Sequence, residues 1–504
     1  MARAGATSSG VTQDRWYQAL LSRDARFDGV FFVGVTTTGI YCRPVCTART
    51  ARRDRCVFFR HAAEAEREGF RACFRCRPEL APGQSSVDAA GRLASAATAR
   101  LETSAAETSI EDVARELGVT SRHLRRVLAE RVGVSPIELV QSKRLALAKQ
   151  LLHDTRLPIT DVAFASGFAS VRRFNAVFRE RFGRPPTAVR KTLGALGRAQ
   201  TEGAVVLRLD YRPPLDWAAA LGFLAARAIP GVESVVGDEY RRTVRIDGAI
   251  GWIAARPLPG RNALACRVSL SLVPSIGPLS ARVRSLFDLD AHPRAIDEHL
   301  ARDRRLAPLV RARPGLRLPG AIDGLEAAVR AILGQQVSVK AATTLAGRLA
   351  ERFGAPIRTP FEELRLVFPS AARLAHAELD GLPQARARAV RALASSVAAK
   401  RLDLSAHAPW EATLERLGAL PGIGPWTSAY VAMRALRWPD AFPGGDLAVR
   451  KALGTGSAAE SERLAERWRP WRSYAVMHLW TTKGTDHVDH ARESPRRVRA
   501  RRDR

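Results

Sequence analysis

Five of the six cysteines in this 504-residue chain fall between Cys42 and Cys76, and four of them form two tight pairs, Cys42-x3-Cys46 and Cys73-x2-Cys76, with 26 residues between the pairs. Thiolate sulfur suits a tetrahedral soft cation, so this spacing predicts a site for one Zn2+ with Cys42, Cys46, Cys73 and Cys76 as ligands, rather than disulfides. Cys56 stands alone after Asp54-Arg55 and reads as packing, with a place among the ligands as the alternative. Such a site can be purely structural. It can also carry chemistry, because a metal holds a thiol as the nucleophilic thiolate at neutral pH.

A second constellation lies between Leu417 and Asp446. Leu420-Pro421-Gly422-Ile423-Gly424 interrupts two helical apolar patterns with a short turn. The two glycines let the backbone approach a ligand and leave amides free at a helix start, where a phosphate is favoured; an ordinary helix–helix turn is the alternative. Trp426 and Tyr430 follow on the next helix, and a glycine loop then ends in Asp446. A carboxylate there can stabilise a developing positive charge and can orient water. It can instead simply cap the following helix.

Two further helical patterns carry basic outer faces; a plain helical bundle with solvated arginines is one reading of them. Ile110, Val113, Ala114 and Leu117 share one face, Gly118 supplies a turn and Thr120 an N-cap, and Leu124, Val127 and Leu128 give the next helix its buried side. Arg122, His123, Arg125 and Arg126 are left outside. About fifty residues later Ile159, Val162 and Ala163 precede Gly167-Phe168, and Ser170 caps a helix carrying Phe174, Val177 and Phe178, with Arg172, Arg173 and Asn175 outward. Between Arg172 and Lys191 seven Lys/Arg face a single acid, Glu180. The formal net charge is +30, from 80 Lys+Arg against 50 Asp+Glu, which points to a polyanionic partner; an arginine bias of the genome accounts for part of it.

At this length several domains are expected, since one core rarely exceeds roughly 250–300 residues. No run of about 18 apolar residues suggests a membrane span. The opening MARAGATSSG lacks the apolar segment of a secretory signal, so a cytoplasmic protein, in a bacterium at the nucleoid, is expected.

Three resemblances sharpen these expectations. The segments Thr37–Cys46 (TTGIYCRPVC) and Gly69–Pro78 (GFRACFRCRP) resemble the N-terminal domain of the Ada family of alkylation-damage sensors. That resemblance implies that Cys42 is both a zinc ligand and the acceptor of a methyl group from a DNA methylphosphotriester, with Arg43, Arg71, Arg75 and Arg77 near the phosphates. Methylation would remove one negative charge and tighten DNA binding. The helical doublet ending in Phe182-Gly183-Arg184-Pro185-Pro186 resembles the AraC-type DNA-binding domain, which sets two recognition helices in successive major grooves. The stretch from about Ala204 to His487 resembles the AlkA branch of the DNA glycosylases, through the hairpin and Asp446, through Arg330–Ser338 (RAILGQQVS) and through Trp468–Tyr474 (WRPWRSY).

The glycosylase resemblance implies that Asp446 assists departure of a flipped base and that Trp426, Tyr430 and Trp480 line the base pocket, where aromatic faces attract a cationic purine by about 1–2 kcal/mol. It implies DNA contacts at Gln336, Gly422 and Gly424. Gln336 stands where the family carries a leucine wedge. Trp426 stands where strand-nicking relatives carry a lysine, so a monofunctional enzyme is expected. With only Cys266 outside the N-terminal cluster no iron–sulfur loop is expected, and the second methyltransferase motif of Ada, PCHR, is missing.

The fold expected is multidomain and mainly α: a small zinc-binding α+β domain over 1–80, a double helix-turn-helix domain over 85–193, an α+β subdomain over 204–315, an all-α helix-hairpin-helix glycosylase domain over 316–487, and a basic tail over 488–504 clinging to DNA. The function implied is a methyl-switched transcriptional regulator that also excises alkylated bases such as 3-methyladenine. The alternative is a regulator whose glycosylase-like half only binds DNA. Partners implied are alkylated and promoter duplex DNA and RNA polymerase, with the protein a monomer.

Overall fold

The computed structural model describes residues 10–23, 27–28, 31–59, 62–76, 78, 89–103, 109–192, 203–406, 408 and 410–481. The tail over 488–504, the segment 81–88 and Arg77 lie outside them. The chain divides into two compact units, Met1–Glu102 with Thr108–Ser142, and Thr103–Glu107 with Lys143–Arg504.

The first unit begins with α1 (Gly10–Leu21) and a four-stranded sheet of order β3-β1-β2-β4, built from β1 (Phe32–Val35), β2 (Ile40–Cys42), β3 (Cys56–Phe59) and β4 (Arg71–Ala72), with α2 (Ala62–Arg67) between the last two strands. Gly39, at φ +63°, turns β1 back into β2. β2 and β4 pair in parallel, Ile40 with Arg71 and Tyr41 with Ala72, and the Cys73 amide donates to the Tyr41 carbonyl at 3.1 Å. Cys42 and Cys73 therefore leave the sheet side by side. Trp16, Phe31, Val33 and Phe58 pack beneath the sheet together with the cysteines.

Three helices complete this unit, α3 (Ala89–Thr103), α4 (Ile110–Glu116) and α5 (Ser121–Val132). Ser109 and Asp112 form a reciprocal capping box on α4, and Thr120 caps α5 by accepting from the His123 amide at 3.2 Å. Gly118, at φ +68°, makes the turn. Val113, Ala114, Leu124, Val127 and Leu128 close a core with Ala94, Ala97 and Leu101. α6 spans Pro136–Asp154.

In the second unit α7 (Ile159–Ala165) and α8 (Val171–Phe182) repeat the device: Ser170 caps α8 through the Arg173 amide at 3.2 Å, and α9 (Pro186–Thr192) follows. A five-stranded antiparallel sheet of order β5-β9-β8-β7-β6 comes next, from β5 (Ala204–Asp210), β6 (Glu233–Val236), β7 (Glu239–Ile246), β8 (Ala249–Pro257) and β9 (Ala263–Ser269), with α10 (Trp217–Ala225) after β5. The apolar faces of α6, α7 and α8 merge with this sheet: Leu151, Phe174 and Phe178 belong to the same core as Val205, Leu207 and Val268. The Gln150 side-chain amide seals the seam by donating to the Arg208 carbonyl at 2.7 Å. Cys266 is fully buried in β9, and burial pushes its thiol up to about 12.

The remainder is helical but for a two-residue ribbon pairing Ala355–Pro356 with Leu366–Val367. It comprises α11 (Ile276–Leu286), α12 (Pro293–Leu300), α13 (Ala307–Ala312), α14 (Gly324–Leu333), α15 (Val339–Phe353), α16 (Ala371–Ala375), α17 (Gln384–Ala398), α18 (Trp410–Gly418), α19 (Pro425–Arg434), α20 (Leu447–Leu453), α21 (Ala458–Ala465) and α22 (Arg472–Thr481). α14 is apolar on nearly all sides and sits at the centre, packed against α17 and α19. No helix among the described residues is long and apolar enough to cross a membrane. The architecture is the multidomain, mainly helical one expected.

Candidate functional site

The sulfur atoms of Cys42, Cys46, Cys73 and Cys76 lie within 4.8 Å of one another. A tetrahedron of thiolates about 2.3 Å from zinc has edges of roughly 3.8 Å, so this cage fits the ion. All six cysteines are free. Without a cation four such groups cannot ionise together: hydrogen bonds from Cys42 and Cys76 hold Cys46 down at about 2, while its hydrogen bond to Cys46 and burial drive Cys42 far up. The donor set is thus that of one Zn2+ bound by four cysteines. Cys56 is packing: it is buried with its thiol toward the Arg52 carbonyl at 3.3 Å and lies outside the cage.

The arginines around the cage separate. Arg43 is only 1% exposed, and its guanidinium is locked on Asp28, with Nε 2.8 Å from Oδ1. Its backbone N–H donates to the Cys76 sulfur at 3.4 Å. The expectation that Arg43 grips phosphate is corrected on that ground: the chain turns inward after Cys42, and the buried ion pair leaves no donor on the surface. Arg71 and Arg75 are exposed, and Arg75 reaches across to the Thr47 carbonyl just after Cys46, at 3.4 Å.

On the two helix-turn-helix units all the residues expected outside but His123 are exposed. Arg122, Arg125 and Arg126 on α5, and Arg172, Arg173 and Asn175 on α8, are exposed; His123 is half-buried against Arg126. Arg125 is paired with Glu111 at 2.7 Å.

In the second unit Asp446 caps a helix and receives two indole N–H groups. Its Oδ1 accepts from the amides of Ala448 at 2.9 Å and Val449 at 3.0 Å, capping α20. The indole N–H of Trp426 donates to Oδ2 at 2.9 Å, and that of Trp480 to Oδ1 at 3.1 Å. Trp426 and Tyr430 stack at 5.4 Å, and Tyr430 lies 6.3 Å from Trp480, so the three aromatics expected for a pocket do converge beside one carboxylate. The WRPWRSY segment explains how the loop before Asp446 is held. Arg472 is buried on Asp440, with Nε 2.8 Å from Oδ1, and the Ser473 hydroxyl donates to the Ala441 carbonyl at 2.8 Å.

Four participants were missed. Phe223 on α10 stacks on Trp480 at 6.2 Å and extends the aromatic wall from the sheet subdomain. Arg227 lies 3.8 Å from the Phe223 ring. Arg434 donates to the Tyr430 hydroxyl at 3.0 Å, and although burial opposes it, the guanidinium groups of Arg434, Arg227 and Arg330 pull the Tyr430 phenol below its ordinary range. Arg434 could have been found four residues after Tyr430 on one helix face; Phe223 and Arg227, two hundred residues away, carried no local signal. Gln335 is the fourth: its amide donates to the Gly422 carbonyl at 2.8 Å and the Thr427 hydroxyl at 2.9 Å, tying its loop to the hairpin. Gln336 is left exposed at φ +56°, and Gly422 turns the hairpin at φ +76° ahead of Gly424, the N-cap of α19.

Comparison with known proteins agrees segment by segment. Family models match for the metal binding domain of Ada at residues 15–79, a helix-turn-helix domain at 113–192 and the AlkA N-terminal domain at 206–323. A Mycobacterium tuberculosis protein described as "Probable bifunctional transcriptional activator/DNA repair enzyme AlkA" is 42% identical over 480 residues, 93% of this chain and 96% of that one. DNA-3-methyladenine glycosylase 2 of Escherichia coli is 38% identical over 55% of this chain and 97% of its own. The bifunctional transcriptional activator/DNA repair enzyme Ada of Escherichia coli is 36% identical over 28% of this chain and 39% of its own. A zinc cage of the Ada kind, a helix-turn-helix domain and an AlkA-like glycosylase in one continuous alignment place the chain in the family of bifunctional Ada/AlkA-type transcriptional activators and DNA repair enzymes.

Proposed function

We propose that this protein answers DNA alkylation with two separate reactions. In the first unit the Cys42 sulfur attacks the methyl carbon of a methylphosphotriester. The S–C bond forms as the C–O bond breaks, and the departing oxygen keeps the electron pair as a phosphodiester anion. Bound zinc supplies the thiolate form of the acceptor and is held by Cys42, Cys46, Cys73 and Cys76. The thioether cannot be reversed, so each molecule turns over once. The cage then carries one less negative charge, DNA binding tightens, and the arginine-rich faces of α5 and α8 hold a promoter where RNA polymerase is engaged. The protein works as a monomer.

In the second unit an alkylated base such as 3-methyladenine is flipped out and received by Trp426, Tyr430 and Trp480, with Gln336 among the residues that contact the DNA. Gly422 and Gly424 offer the hairpin amides to a phosphate. Asp446 stabilises the cationic sugar as the base leaves and orients the water that completes hydrolysis to an abasic site. Trp426 occupies the helix position where a lysine would be needed to cut the strand, so the enzyme stops there. The observation that carries this reading is the half-buried Asp446 carboxylate with an indole N–H on each oxygen and an aromatic wall beside it.

One incubation with methylated duplex DNA tests both halves. Chromatography should find free methylated purine in the supernatant, and mass spectrometry should find one added methyl on the peptide bearing Cys42. DNA binding with no base release would leave a regulator whose glycosylase half only binds. Base release without methyl on Cys42 would leave a glycosylase with a structural zinc domain.

A further inference from the structure

Phe74 is 90% exposed, more than any other large apolar side chain among the described residues; Leu447, next in order, is 61% exposed. An isolated exposed apolar residue is ordinary on a protein surface. Phe74 differs by its place. It sits in the turn from Cys73 to Cys76, immediately after one zinc ligand and two residues before another. That turn is clamped at both ends, by the Cys73 amide on the Tyr41 carbonyl at 3.1 Å and by the Arg43 amide on the Cys76 sulfur at 3.4 Å. The ring therefore cannot fold back into the core beneath the sheet. It is held out beside the methyl acceptor by the same bonds that build the cage.

Its surroundings suit nucleic acid. From Gly69 to Pro78 the sequence has arginines at 71, 75 and 77 and no acid, and the side chains of Arg71 and Arg75 are exposed on either side of Phe74. Arginines attract every phosphate of the backbone alike. A methylphosphotriester is the one linkage that has lost its charge, so cations alone favour its neighbours over it. An apolar side chain beside the acceptor favours the neutral, methylated linkage over its charged neighbours, and Phe74 is the most exposed large apolar side chain among the described residues.

We propose that Phe74 is a DNA-contacting specificity residue of the methyl-transfer site. Its ring packs on the deoxyribose faces flanking the methylated linkage while Arg71 and Arg75 take the adjacent charged phosphates, and together they seat the methyl group against Cys42. This rests on the reading of Cys42 as methyl acceptor.

The test uses the full-length zinc-loaded protein and a duplex carrying a single methylphosphotriester. Single-turnover transfer to Cys42 is followed by mass spectrometry, and affinity is compared with the same duplex unmethylated. Phe74→Ala should slow transfer about tenfold or more and shrink the preference for the methylated duplex, as loss of an aromatic contact to nucleic acid does. Its zinc content should be unchanged, and Phe74→Trp should restore the rate. Wild-type transfer by Phe74→Ala overturns the proposal, and so does loss of zinc from that variant, which would make the ring part of the metal fold. Failure of the wild type to methylate Cys42 overturns the parent reading instead.

Discussion

At Asp446 a helix cap coincides with the carboxylate to which the proposed function gives the chemistry. Oδ1 serves the backbone of α20 and Oδ2 faces Trp426. Asp446→Asn can keep the capping oxygen but turns an NH2 toward the Trp426 indole N–H, donor against donor. Base release from methylated DNA should fall by about a hundredfold or more. Urea denaturation should show a loss of no more than about 1 kcal/mol, the ordinary weight of an N-cap. Full base release by the Asn variant would reduce Asp446 to a cap. His478 supplies a second residue-level expectation. It is 1% exposed on α22, and burial, assisted by Arg313, lowers it to about 4 from 6.5. The unfolded chain therefore takes up a proton near pH 6.5 that the folded one refuses until about 4. Stability is full above pH 6.5 and drains as pH falls toward 4, by on the order of 3 kcal/mol. Urea titrations read by tryptophan fluorescence at pH 7.5 and pH 4.5 should show this loss in the wild type and a smaller one in His478→Phe. Trp480 was reached only through the family resemblance, whereas the ligands Cys42, Cys46, Cys73 and Cys76 could be read from sequence because ligand spacing is local. Arg43 could not: nothing near it in the chain announces Asp28 as its buried partner.

Among the elements, the turn glycines of the hairpin differ in what they tolerate. Gly422 has φ +76°, and an added Cβ would meet the Ala389 Cβ at 3.0 Å; Gly424 has an ordinary φ of −96° and open space around it. Gly422→Ala should therefore destabilise the second unit by about 1–2 kcal/mol. Gly424→Ala should cost well under about 1 kcal/mol yet, on the proposed reading of the hairpin as a phosphate cradle, weaken DNA binding. Denaturation and DNA titration of the two variants separate these effects; equal destabilisation by both would contradict the asymmetry. On α8 the outward Arg172 and Arg173 make no contact that folding needs, so Arg172→Ala should lower the slope of log affinity against log salt by about 1 with stability unchanged. Caps and turns were legible throughout the two helix-turn-helix units, since Thr120, Ser170, Gly118 and Gly167 act within four residues of themselves. The pocket wall was legible only in part. Trp426 and Tyr430 declare themselves on one helix, whereas Phe223 and Arg227 reach the site only through the packing of α10, which helical periodicity does not encode.

Across the whole molecule, cores do not follow the linkers that composition suggests. The stretch 194–203 reads as a break, yet the second helix-turn-helix unit shares one apolar core with the sheet of the glycosylase half. Periodicity says which face of a helix is buried and not against what, so that seam was invisible beforehand. The zinc cage, by contrast, lies wholly in the first unit, and the Asp446 site wholly in the second. The four ligand cysteines are themselves core residues there, packed with Trp16, Phe31, Val33 and Phe58. The core around this sheet of four short strands is small, and domains this small depend on metal. Zinc removal by a strong chelator should therefore unfold the sheet around Trp16 and abolish methyl acceptance by Cys42, while the rate of base release from methylated DNA stays within about twofold of the holoprotein. Far-ultraviolet circular dichroism and base-release assays on the same chelated sample decide the matter. Loss of both activities together would mean that excision depends on the folded sensor, and that the two chemistries are coupled rather than merely carried on one chain.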